Sequence, residues 1–136
     1  MIETQLFGAA KSARSNAYVP YSNFPVACAI QSESGKIYVG VNVDNASFPE
    51  TACAEANAIG ALVAAGERRI KAVLVLGGHP GSGVLCTPCG GCRQRLGEFS
   101  QSDTMVYVCS DEGVQEVIAF GELLPRAFGP NNLKQE

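Results

Sequence analysis

The fold is decided between Ala52 and Gly77, where the chain reads ACAEANAIGALVAAGERRIKAVLVLG. From Ala52 to Ala65 the stretch is Ala-rich, and Glu55 and Asn57 are its polar residues. Such a run favours helix, and Gly66 supplies the residue that commonly ends one in a left-handed conformation. From Ile70 the pattern changes to a nearly unbroken apolar run of Ile70, Ala72, Val73, Leu74, Val75 and Leu76, which reads as a buried strand. A helix that is apolar all round is buried on most of its sides. In so short a chain this points to a central helix that also meets a partner subunit.

The pattern extends outward in both directions. Leu6, Ala9, Ala10 and Ala13 share one helical face, so residues 2–15 form an amphipathic helix that Asn16 and Pro20 close. Residues 25–33 read as a strand and 33–36 as a hairpin turn. Ile37, Val39, Val41 and Val43 alternate onto one face of the next strand, and a polar loop broken by Pro49 follows. On the other side, 79–83 is a Gly/Pro loop, a helix runs from about Cys89 to Phe99, and strands fall at 104–109 and 114–119. A helical turn near Leu123 and a polar tail end the chain. Helices interspersed with strands predict a layered α/β domain with a helix-covered sheet of about five strands.

The chain has 136 residues, 46% hydrophobic and 17% charged, a globular composition and the length of one domain spanning 1–136. Its net charge of −3 gives no electrostatic footprint for nucleic acid or an anionic membrane. Met1–Leu6 lacks the character of a signal peptide. No apolar run approaches the roughly 18 residues of a membrane span. A soluble, cytoplasmic protein is expected. Its six cysteines are then not three disulfides. With His79 as the one histidine, multi-histidine metal sites within one chain are excluded. Cys28 and Cys109 lie in strand-like runs and read as core residues.

The other four cysteines carry the chemistry. Cys53-Ala54-Glu55 and Pro88-Cys89-Gly90-Gly91-Cys92 each open a predicted helix. Residues three apart lie on one helical face, so Cys89 and Cys92 can grip one ion, and Cys53 can add a third thiolate. Three protein ligands with a fourth position open is the arrangement of a catalytic zinc. Cys86 is the alternative fourth ligand of a closed, structural site. Pro88 presets the helix entry and leaves Cys86 in the loop before it. Glu55 reads either as a charge complementing the helix dipole or as a proton shuttle beside the metal.

The order Cys-x-Glu and then Pro-Cys-x-x-Cys is a variant of the signature of zinc-dependent nucleobase deaminases. The whole chain resembles the short, cysteine-ligated cytidine deaminases. Tyr18–Val26 is similar to their substrate-lining segment and Val41–Ala46 to their ribose-binding strand end. Glu122–Pro125 and Phe128–Pro130 resemble their C-terminal end. The resemblance implies a three-layer α/β/α fold with a mixed five-stranded sheet, and that Cys53, Cys89 and Cys92 hold one zinc ion per subunit. It implies that Glu55 moves a proton from water to N3 of the pyrimidine, that attack at C4 follows, and that ammonia leaves. It further implies that the Ala54 amide binds O2, that Phe24 lines the base pocket, and that Asn42 and Asp44 bind ribose hydroxyls. Phe128 would enter a neighbouring subunit's site within a homotetramer.

Two positions depart from this pattern. Asp44 stands where the family usually has glutamate, and Ala56 where cysteine-ligated members usually carry arginine. Zinc with three thiolates and a hydroxide is doubly negative and needs compensation. Arg93, Asn57, backbone N–H groups and helix dipoles are the expected sources. Deamination of cytidine or deoxycytidine is the leading expectation. The rivals are deamination of another amino-heterocycle and a non-catalytic zinc module. Nucleic-acid editing is disfavoured by the acidic charge.

Overall fold

The computed structural model describes residues 1–133; the last three residues of the expected polar tail, 134–136, lie outside the described residues. The elements are α1 (Ile2–Arg14), β1 (Val26–Ser32), β2 (Ile37–Val41), α2 (Ala54–Ala64), β3 (Ile70–Gly77), α3 (Gly90–Gly97), β4 (Met105–Ser110), β5 (Gly113–Ala119), α4 (Phe120–Leu123) and α5 (Pro130–Leu133), with a 3-10 turn at Phe48–Glu50.

The five strands form one sheet in the order β2-β1-β3-β4-β5. β1 is antiparallel to both β2 and β3, β3 is parallel to β4, and β4 is antiparallel to β5. β2 and β3 therefore run the same way, and α2 is the crossover between them. α3 is the crossover from β3 to β4. Parallel strands require such connections.

Strand alternation divides the core into two layers. Leu6 and Ala10 of α1 pack on Ala27, Ala29, Leu74, Leu76 and Tyr107 on one face. Ala58 and Leu62 of α2 and Leu96 of α3 pack on Cys28, Ile30, Val73, Val75 and Val106 on the other. Both faces of β3 are covered, which is why it reads as a continuous apolar run. The three-layer α/β/α arrangement with a mixed five-stranded sheet is thus the architecture expected. Cys28 and Cys109 are fully buried. Burial raises both thiols, that of Cys109 to about 12, so neither supplies a thiolate near neutral pH. Among the described residues no helix is long and apolar enough to cross a membrane.

Three features differ from the sequence pattern. β2 stops at Val41, and Val43 makes only isolated bridges to Tyr18 and Ala52. The buried residue of β2 is Gly40 and not one of the valines. A Cβ at Gly40 would stand 2.5 Å from the carbonyl oxygen of Ala54 and closer still to the amide nitrogen of Ala58, so α2 lies directly on this backbone. At the end of α1, Arg14 is buried. Its Nη2 pairs with Asp111 Oδ1 at 2.6 Å, the partner that a buried cation requires. Gly66, with φ +89°, ends α2 as predicted. Glu67 follows it, and its Oε2 accepts from Tyr38 Oη at 2.7 Å and from Ser32 and Ser34 Oγ at 2.8 Å, pinning the β1–β2 hairpin to the helix end.

Candidate active site

Cys53 and Cys89 are the N-cap residues of α2 and α3. These helices follow the C-terminal ends of β2 and β3, the edge where α/β sheets gather ligands. There the chain encloses a cavity of about 220 Å3, lined by Phe24, Val26, Asn42, Thr51, Ala52, Cys53, Ala54, Glu55, Cys86, Thr87, Cys89 and Cys92. The three thiols expected to ligate, Glu55, and the expected substrate contacts Phe24, Asn42 and Ala54 are therefore together.

Cys53, Cys89 and Cys92 line the same space at the starts of α2 and α3. The three are neighbours and not a finished ligand set: among the described residues no group of three or more His, Cys, Asp or Glu is disposed to hold an ion as it stands. As donors they suit zinc, which takes thiolates tetrahedrally and leaves a fourth position for water. The amides of Cys92 and Gly91 at the start of α3 draw the Cys89 thiol below its ordinary range, as helix N-termini do. Burial pushes the Cys92 thiol up, reinforced by Glu55 and the neighbouring thiols.

Glu55, in the first turn of α2, is 5% exposed. Burial raises its carboxyl above the usual range, against its own amide, the Cys92 thiol and Arg95. Ala54 opens the helix, where amides have no carbonyl partner in the preceding turn.

The residues expected to balance the sulfur charge are engaged elsewhere. Arg93 donates from Nε to the Pro88 carbonyl at 2.8 Å, from Nη1 to that of Leu123 at 3.1 Å and from Nη2 to Thr87 Oγ1 at 3.3 Å. Asn57 Nδ2 donates to the Val41 carbonyl at 2.7 Å. Arg95 makes the sulfur contact, from Nη1 to Cys92 Sγ at 3.8 Å. Sequence reasoning missed it, although Arg95 follows Cys92 at the three-residue spacing that aligns helical side chains.

Asn42 shapes the cavity wall. Asn42 Oδ1 accepts from the Val26 amide and its Nδ2 donates to the Phe24 carbonyl, both at 2.9 Å. Asp44 does not line the thiol cavity. It is buried, and its Oδ2 accepts from the amides of Ser22 at 2.8 Å and Tyr21 at 3.1 Å. It borders a neighbouring hollow with Tyr21, Ser22, Phe48 and Thr51. Phe128 is also outside the thiol cavity, 58% exposed, with its carbonyl held by Gln94 Nε2 at 2.9 Å.

The Ser22 amide, with Tyr21 and the Ser22 hydroxyl, holds the Asp44 carboxyl below its ordinary value despite burial. A carboxyl depressed in the folded state stabilises the fold above its unfolded pKa of roughly 3.9, and that contribution is lost as pH falls through the folded value. Asp44→Asn should therefore lower Tm at neutral pH, with the gap to wild type closing below about pH 4. Thermal melts across pH check this, and a gap that stays constant to pH 3 would contradict it.

The match with known proteins is broad. Residues 2–109 match the family described as the cytidine and deoxycytidylate deaminase zinc-binding region. The chain is 40% identical over 129 residues to the cytidine deaminase of Sporosarcina psychrophila, covering 95% of this chain and 93% of that one. It is 39% identical over 131 residues to the cytidine deaminase of Mycobacterium tuberculosis, covering 96% and 92%. The crystal structure of cytidine deaminase from Burkholderia pseudomallei superimposes with a TM-score of 0.84 at 40% identity, covering 94% of this chain and all of that one. That of the Mycobacterium tuberculosis protein does so with a TM-score of 0.79 at 37% identity, covering 93% and 96%. With this agreement over nearly its whole length, and its thiols and buried glutamate gathered in one cavity, the chain belongs to the cytidine and deoxycytidylate deaminase family.

Proposed function

We propose that the protein hydrolytically deaminates cytidine or deoxycytidine to the uridine counterpart with release of ammonia, as a step of pyrimidine salvage. The observation that carries this reading is Glu55, buried in the same cavity as three thiols that begin two helices. Cys53, Cys89 and Cys92 would hold a single zinc ion. When bound, zinc supplies the Lewis acidity that makes water nucleophilic near neutral pH.

The chain's own residues do the rest. Glu55 takes a proton from the attacking water, delivers it to N3 of the pyrimidine, and then carries the proton of the hydroxyl added at C4 to the departing amine, which leaves as ammonia as the C4 carbonyl forms. The Ala54 amide binds O2, and Phe24 packs against the base. Asn42 keeps one amide hydrogen and one lone pair after its two backbone bonds, enough to bind a ribose hydroxyl while fixing Phe24 and Val26. Asp44 reaches the sugar by its less engaged Oδ1, which accepts only from the Ser22 hydroxyl, at 3.3 Å.

A homotetramer with shared sites fits the surface. Phe48 is 71% exposed, and Tyr21, Leu85 and Phe128 are exposed with it. Ala56, Gly60, Val63 and Ala64 of the nearly all-apolar α2 are not fully covered by their own chain. In the assembly, Phe128 closes a neighbour's site. All six cysteines are free, which suits the reducing cytoplasm.

The commitment of Asp44 to the Tyr21 and Ser22 amides favours a second reading, deamination of another amino-heterocycle with a different sugar or none. A panel of cytidine, deoxycytidine, cytosine, 5-methylcytidine and blasticidin-type compounds, read by ultraviolet absorbance and ammonia release, separates the two. Inactivity of zinc-replete protein on every nucleoside would sink the leading reading. Cys86→Ser should leave zinc content and kcat/KM essentially unchanged, because Cys86 lies in the loop before α3 and three thiolates with water complete a tetrahedral zinc. Loss of zinc in that variant would make Cys86 a ligand.

A further inference from the structure

The thiol cavity concentrates negative charge. Three thiolates outweigh one zinc ion, and the buried carboxyl of Glu55 lines the same space. Uncompensated charge in a partly desolvated site is costly. Arg93 and Asn57 are tied to backbone carbonyls, and position 56, three residues beyond Cys53, is alanine. The cation that does reach a sulfur is Arg95, through Nη1 at 3.8 Å from Cys92 Sγ.

Helix geometry makes this contact specific. Positions 91, 92 and 95 share a face of α3, since residues three and four apart are neighbours. A Cβ on Gly91 would lie 3.3 Å from Arg95 Nη1, so the guanidinium folds back over the helix's first turn. The bare backbone of Gly91 leaves it room.

We propose that Arg95 is the positioning residue that balances the thiolate set from α3, holding Cys92 in ligand orientation and strengthening zinc retention. The inference rests on the three-thiolate zinc reading above. Arginine carries the role well, because it stays charged at all working pH values and donates from several nitrogens.

The test compares wild type, Arg95→Ala, Arg95→Lys and the double variant Arg95→Ala/Ala56→Arg. Zinc affinity is measured by competition with a chromogenic chelator, and the sulfur-to-metal absorption band is recorded after cobalt substitution. Arg95 is exposed on its outer side, so all four proteins should fold, as circular dichroism will show. Arg95→Ala should weaken zinc binding by about 10- to 100-fold, the usual effect of removing an outer-sphere partner, and shift the cobalt band. Arg95→Lys should keep most of the affinity. The double variant should regain it, because position 56 stands to Cys53 as position 95 stands to Cys92. Wild-type affinity and an unchanged cobalt band in Arg95→Ala would overturn the assignment. So would a loss that neither lysine nor the second-site arginine repairs, since that marks lost packing and not lost charge. Failure of the underlying reading looks different: wild type itself would not take up one zinc per chain, and the role of Arg95 would fall with it.

Discussion

Glu55→Gln should lower kcat by about 100- to 10,000-fold, the range that positioned proton transfer contributes, while zinc content and the fold stay as in wild type. The amide matches the carboxylate in size, so the packing around this side chain, only 5% exposed, is kept. What disappears is the ability to carry one proton from water to N3 and then a second, from the hydroxyl added at C4, to the amine. Glutamine also cannot become charged, which removes the cost that burial imposes on ionised Glu55. KM should therefore change far less than kcat, the signature of an interaction made in the transition state. Kinetics and metal content measured on one preparation decide the matter. A zinc-loaded variant with near wild-type turnover would remove Glu55 from the mechanism.

Gly40→Ala should destabilise the fold by about 3 kcal/mol, the upper end of the usual cost of overpacking. The neighbours explain the size. The added methyl would meet Ala54 O at 2.5 Å, Asn57 C at 2.8 Å and, closer than either, Ala58 N. All three are backbone atoms of α2, so no rotamer change relieves the clash and the helix must shift as a body. Ala54 and Glu55 lie in the first turn of that helix and Cys53 is its N-cap, so zinc affinity should fall with stability. Urea unfolding with unchanged m-value reads the first effect and chelator competition the second. A loss below about 1 kcal/mol would show that α2 yields easily at this contact.

Much of this molecule was legible in advance, for physical reasons that differ by region. α2 and β3 announced themselves through nearly continuous apolar runs: β3 is covered on both faces, and α2 carries apolar residues on the side its own chain leaves open as well. The start of α3 was legible from Pro88 and Cys89, and the cysteine spacing then placed three thiols together. What stayed hidden depends on docking between distant segments. The near-contact of Gly40 with α2 exists only once the helix has docked. The bonds from the amides of Tyr21 and Ser22 to Asp44 form only once two segments some twenty residues apart have met. Arg14, a charged residue at the end of an amphipathic helix, is buried and paired with Asp111, which the apolar pattern of that helix does not encode. For charge compensation the expectation named Arg93, adjacent to the last cysteine, together with Asn57, and did not include Arg95. One residue along a helix turns a side chain well away from its neighbour, whereas three bring it back.

The topology also bears on how the chain is held together. Cys53 stands at the entry to one crossover and Cys89 and Cys92 at the entry to the next, with all of α2 and β3 between them. An ion gripping all three is a cross-link across that span. It restricts the loops open to the unfolded chain in the manner of a disulfide. The α2 helix also begins on a cysteine, Cys53, whose side chain makes no capping hydrogen bond, so its first turn has no local lock of its own. Metal occupancy and folding are then one linked equilibrium. The amount of native protein in a cell would rise and fall with free zinc, before any question of catalysis arises.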